Sequence, residues 1–178
     1  MSMTLEELGN RLDEAYGDID CVYIHWTGGE YDQNFNDYHL CIDGEGNFEM
    51  TRPFTDIPAA TWHRNYRSLA IALNCCKGAQ LYADGRTNFG YYPPTEAQVE
   101  CLAQVIATIS DHLHLPIRKG LYMTHAEAAE LDEYGPSTTC ERWDLWTMPN
   151  SPAWGSGGDY IRGKALFYQK QWSQENDR

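Results

Sequence analysis

Apolar spacing divides the chain into short strands and amphipathic helices. Leu5, Leu8, Leu12 and Ala15 recur at helical intervals behind Thr4-Leu5-Glu6-Glu7, a capping box, so residues 4–16 are predicted helical, with Gly17 ending the helix. Cys21 to Trp26 is nearly all apolar or aromatic, which suits a strand buried on both faces, and Thr27-Gly28-Gly29 breaks it. Tyr38 to Asp43 alternates, turns through Asp43-Gly44-Glu45-Gly46 and returns through Asn47 to Met50, a hairpin pattern. On period two, Tyr38, Leu40 and Ile42 share one face, and His39 and Cys41 the other.

Ser68 to Leu73 alternates alanine with larger aliphatics, a strand with something packed closely on its alanine face. Residues 77–94 read as a surface loop. Thr95-Glu96-Ala97-Gln98 opens a long helix marked by Val99, Leu102, Val105, Ile106, Ile109 and Leu113 and ending near Pro116. Leu121 to Thr124 reads as a strand leading into His125, with a helical turn over 126–131. Asp159 is the predicted cap of a last helix carrying Ile161, Ala165, Tyr168 and Trp172 on one side, with a frayed polar tail after it. The sum is one α/β domain over 1–178, core about 4–172: a central mixed sheet flanked by helices.

Composition narrows the function. A net charge of −13, with 13 Lys and Arg spread thinly, argues against nucleic acid as partner. No apolar run is long enough to span a membrane, so no membrane partner is expected. The N-terminal stretch lacks the basic start and apolar core of a signal peptide, so synthesis and folding in the cytoplasm are expected. Six cysteines without a Cys-x-x-Cys pair then read as reduced, mostly buried thiols rather than a disulfide framework.

The candidate chemistry sits at strand ends. His25 and His125 each close an apolar run, the edge where ligands collect in α/β sheets, and Asp144 follows Arg142 at Arg-x-Asp spacing. Two histidines and an aspartate leave one position of a tetrahedral zinc open for water, whose pKa falls from near 16 to roughly 7. The spacing alone does not separate ligands from hydrogen-bonded or surface histidines. His112 and His114, in a last helical turn, fit the bland reading. A buried, hydrogen-bonded role fits His39, and Cys75-Cys76 raises a thiol-hydrolase alternative.

Six pieces in one order carry a resemblance: Val22-Tyr23-Ile24-His25-Trp26-Thr27, Asp37-Tyr38-His39 through Gly46, His63-Arg64-Asn65 through Leu73, Pro94 to Gln98, Thr124-His125-Ala126-Glu127, and Arg142-Trp143-Asp144. Over roughly residues 20–146 the chain resembles the zinc-dependent N-acetylmuramoyl-L-alanine amidases of the peptidoglycan recognition protein and phage amidase-type lysozyme superfamily. The resemblance implies that superfamily's single-domain fold and one Zn2+ on His25, His125 and Asp144. It implies catalytic roles for Tyr38 and Arg142 and a substrate groove bordered by His63 and Asn65; Trp26 is a further candidate for substrate binding, and Glu127, two residues past His125, is placed to orient a ligand from behind. The implied reaction is hydrolysis of the amide between the lactyl group of N-acetylmuramic acid and L-alanine in peptidoglycan or muropeptides. A phage or prophage endolysin acting on the wall after release is expected; a cytosolic wall-recycling amidase and a non-catalytic muropeptide-binding module are the alternatives. Two positions depart from the family pattern. Ala72 stands where some members carry a glutamate base, leaving that duty to Tyr38 or Asp144, and Arg142 replaces a lysine, offering charge but not proton transfer.

Overall fold

A computed structural model describes residues 1–177. The main strands are β1 (Cys21–Trp26), β2 (Leu40–Ile42), β3 (Phe48–Met50), β4 (Ser68–Leu73) and β7 (Tyr122–Thr124). These five form one mixed sheet in the order β3-β2-β4-β1-β7. β1 runs parallel to both β4 and β7, β2 runs parallel to β4, and only β3 is antiparallel. Two residue pairs, β5 (Gln80–Leu81) and β6 (Thr87–Asn88), make a small hairpin inside the 77–94 segment predicted as loop. The helices are α1 (Leu5–Glu14), α2 (Glu96–Leu113), α3 (His125–Leu131) and α4 (Gly157–Asn176).

Because side chains alternate across a strand, each face of the sheet takes its own set. Val22, Ile24, Leu69, Ile71, Leu40 and Ile42 join Leu8, Leu12, Leu102, Ile106, Ile109 and Ile161 in the main core, against α1, α2 and α4. Tyr23 and Met123 form a smaller cluster with Ala128 of α3 on the opposite face. The register pairs His25 with Ala72, so His25, Ala70 and Ala72 share that second face. The small side chains of β4 leave room above the sheet where the imidazole stands, which accounts for the alanine alternation.

Both predicted capping boxes are present, at Thr4 with Glu7 and at Thr95 with Gln98. Four boundaries differ from expectation. α1 ends at Glu14 rather than 16. Tyr38 and His39 precede β2 instead of starting it, so the period-two assignment of Tyr38 to the face of Leu40 and Ile42 fails. α4 begins behind Ser156, and Asp159 lies inside its first turn, accepting from Arg162 Nη2 at 2.7 Å instead of capping. The helix also continues past Trp172 to Asn176, where the polar composition predicts a frayed tail. The six cysteines are free thiols, Cys75 and Cys76 Sγ standing 3.5 Å apart. Among the described residues no helix is long and apolar enough to cross a membrane.

Candidate metal centre and cleft

The two histidines converge because two parallel neighbours are in register. Ile24 pairs with Thr124, so the next residue on each chain, His25 still within β1 and His125 just past the end of β7, stands beside the other on one face. Thr124 caps α3 through a third box with Glu127, which turns the chain sharply and makes His125 the first helical residue. Asp144 comes from an irregular stretch, and its carbonyl accepts the Ala126 N–H at 3.3 Å, tying that stretch to α3.

Three donor atoms meet there. His25 Nδ1 lies 3.1 Å from His125 Nδ1, and Asp144 Oδ2 lies 3.5 Å from the first and 3.4 Å from the second. Bonds of 2.0–2.1 Å to a tetrahedral zinc require donor separations of about 3.3 Å, so this triangle fits zinc without rearrangement. All three residues are buried. The far nitrogens are engaged: His25 Nε2 with Thr61 Oγ1 and His125 Nε2 with Tyr134 OH, each at 3.3 Å. A proton on each Nε2, donated to these hydroxyls, would leave both Nδ1 lone pairs aimed at the shared centre, the arrangement by which outer partners fix a ligand's tautomer.

Burial pushes His25 down to about 4, so its ring is neutral at neutral pH. Burial alone would raise the Asp144 carboxyl, but His125 and His25 beside it outweigh that and hold it well below the carboxylate range. A neutral imidazole at His25 and an ionised Asp144 are the protonation states that metal binding needs of these two groups.

Three cavities open onto this centre. The largest, about 760 Å³, runs between Trp62, Asn65, Tyr134 and Glu141 to His125 and Arg142. A second of about 440 Å³ is lined by Trp26, Tyr38, Asp37, Arg142 and Asp144. The third, about 210 Å³, includes Trp26, Cys76, Trp143 and Asp144. Arg142 borders all three.

Residues 15–143 match the N-acetylmuramoyl-L-alanine amidase family, Amidase_2. The chain belongs to that family. Solved structures share the fold of this amidase. The Ph2119 endolysin from the Thermus scotoductus MAT2119 bacteriophage is 18% identical, with 83% of this chain and 84% of that chain covered at a TM-score of 0.51. The endolysin amidase LysCS from Clostridium intestinale URNW is 15% identical, with 83% of each chain covered and a TM-score of 0.51. The Escherichia coli amidase AmiD, solved with an anhydro-N-acetylmuramic acid peptide, is 19% identical over 63% of this chain, at a TM-score of 0.50. This chain spans 50% of the AmiD chain's length. No curated protein matches the sequence significantly.

The remaining expected site residues of the amidase divide. The Tyr38 ring tilts against His25 with centroids 5.2 Å apart, and burial, with the Asp144 charge next, pushes its phenol above its ordinary pKa. Trp26 stands edge-on to Trp143 at 4.7 Å on the cleft wall. Asn65 lines the largest cavity, but its Oδ1 accepts the Ala60 and Thr61 N–H groups at 3.0 and 2.8 Å, shaping the loop that presents Thr61. His63 is exposed against Trp62 and is not among the residues lining the three cavities. Glu127 does not contact either histidine among the described residues; it forks onto Arg162 at 2.7 and 2.8 Å and accepts the Thr124 N–H.

His39 takes the bland reading. Its Nδ1 accepts the Ala70 N–H at 3.0 Å and its Nε2 donates to the Asp56 carbonyl at 2.9 Å. The Cys76 thiol is buried and pushed well above its usual pKa, the wrong direction for a nucleophile. Thr61 and Tyr134 escaped sequence reasoning, because nothing local marks a hydroxyl that reaches a histidine from a loop.

Proposed function

We propose that this amidase cleaves the lactyl–L-alanine amide of peptidoglycan as a zinc enzyme of the endolysin type, with the metal held by His25 Nδ1, His125 Nδ1 and Asp144. The observation that carries the reading is the buried triangle of donors with edges of 3.1, 3.4 and 3.5 Å. Zinc at such a centre supplies a Lewis acid for the carbonyl and a water ionisable near neutral pH.

The chain's own groups complete the chemistry. Tyr38, whose phenol keeps its proton at neutral pH, is a donor rather than a base, and its O–H would stabilise the developing oxyanion. Arg142, on the rim of all three cavities at the centre, would add positive charge near the same oxygen. With Ala72 opposite His25 in the register, no glutamate hangs from that position of β4. The second Asp144 oxygen would then take up the proton of the attacking water. Trp26 and Asn65 would border the substrate, Asn65 by shaping the cleft wall. His63 would act only on substrate extending past the cavities.

Two endolysins covered over more than four fifths of both chains support the wall-lytic role. AmiD, solved with a muropeptide, supports the substrate class. The test offers purified sacculi and soluble anhydromuropeptides side by side and measures new L-alanine amino termini. Release from sacculi, abolished by chelator and restored by zinc, is expected. Cleavage confined to soluble anhydromuropeptides would assign a recycling role, and binding without release would assign a recognition module.

A further inference from the structure

The C-terminal helix α4 lies outside the family match, which ends at residue 143, yet its first turns touch both segments that deliver His125 and Asp144. It opens on two glycines. A Cβ on Gly157 would collide with the carbonyl of Leu145, the residue after Asp144. One on Gly158 would collide with the Glu127 carboxylate, two residues past His125. Gly157 N–H donates to the Trp146 carbonyl at 3.0 Å. One turn on, Arg162 is 5% exposed and donates to four acceptors: both oxygens of Glu127, 4% exposed, the Tyr122 carbonyl of β7 at 2.8 Å, and Asp159 on its own helix. Glu127 in turn accepts the N–H of Thr124, the cap of the helix that starts with His125.

Leu145 adds a second observation. It is fully buried yet has φ of 63°, a conformation bulky residues adopt only where the surroundings impose it. The surroundings here include the close-packed start of α4.

We propose that Gly157, Gly158 and Arg162 are positioning residues that set the Asp144 segment against α3, so that the donor triangle is formed before metal arrives. This rests on the zinc reading above. A glycine pair in a helix costs stability relative to alanine, so both would be poor choices unless close approach were required.

The experiment compares zinc dissociation constants, by chelator competition, for the wild type, Gly158→Ala, Arg162→Lys and Gly163→Ala, with thermal unfolding of each metal-free protein. Gly163, in the same helix with nothing within 4 Å of where a Cβ would stand, is the control. Gly163→Ala is expected to raise the unfolding midpoint and leave zinc affinity unchanged. Gly158→Ala and Arg162→Lys, which keeps the charge but loses the fork, are expected to weaken zinc binding about 10- to 100-fold. Cobalt-loaded protein should show altered visible bands in both, a change of coordination geometry that general loss of stability does not produce. Wild-type affinity and spectrum in Arg162→Lys would overturn the proposal, even where Gly158→Ala fails to fold. A wild type that binds no zinc would instead overturn the metal reading beneath it.

Discussion

The two histidines and the aspartate reach one centre by different routes. His25 within β1 and His125 directly after β7 stand at level positions of adjacent parallel strands whose residues are almost all buried, so the core that holds the fold also aims them. Asp144 sits in an irregular stretch in which Glu133, Cys140 and Leu145 all have positive φ. Regular structure places the histidines; turns, backbone strain and contacts with α3 and α4 place the aspartate. The sheet side should tolerate much and the loop side little.

The largest effect expected is from Asp144→Ala or His125→Ala, which should reduce both bound zinc and amide hydrolysis to background while leaving the fold intact. Tyr38→Phe removes a proton donor without changing the ligands, and a loss of about 10²- to 10⁴-fold in kcat with zinc retained is expected. If Tyr38→Phe also lost zinc, its role would be structural. Tyr134→Phe deletes the hydroxyl on His125 Nε2, and chelator competition should show zinc affinity falling by about tenfold or more with the cleft unchanged.

Acid probes the buried triad in a different way. In the metal-free protein His25 titrates at about 4 when folded against 6.5 when unfolded, so the unfolded chain binds more protons across that interval. Stability present above about 6.5 is lost as pH falls toward 4, and the depressed Asp144 adds a further loss at lower pH. The thermal midpoint of chelated protein should fall across this window, and His25→Phe should flatten the first part of the fall. The smallest effect belongs to the region farthest from the chemistry: Thr4→Ala, which deletes the α1 cap, should cost about 1 kcal/mol in denaturant unfolding and leave zinc affinity alone.

The same division governs what the sequence made legible. β1, β4, α2 and the strand before His125 were readable because burial imposes a period, and a period survives in sequence. Tyr38 escaped that logic: it lies just before β2, so its ring goes to His25 rather than to the face of Leu40 and Ile42. Glu127 was visible as a carboxylate beside a ligand, but Thr124-His125-Ala126-Glu127 is itself a capping box, the signal that its carboxylate is committed to the Thr124 N–H. Asp159 has the chemistry of a cap, yet the helix starts earlier because two glycines let it approach the Asp144 segment. Thr61, Tyr134 and Arg162 act across the fold, and contacts between distant segments leave no local spacing to read.

Metal analysis of purified protein tests the central claim most directly. About one zinc per chain is expected in the wild type, lost in Asp144→Ala although His25 and His125 remain, because three protein donors are needed to hold a catalytic zinc. Zinc retained at full stoichiometry in Asp144→Ala, or a wild type that takes up none, would contradict the account.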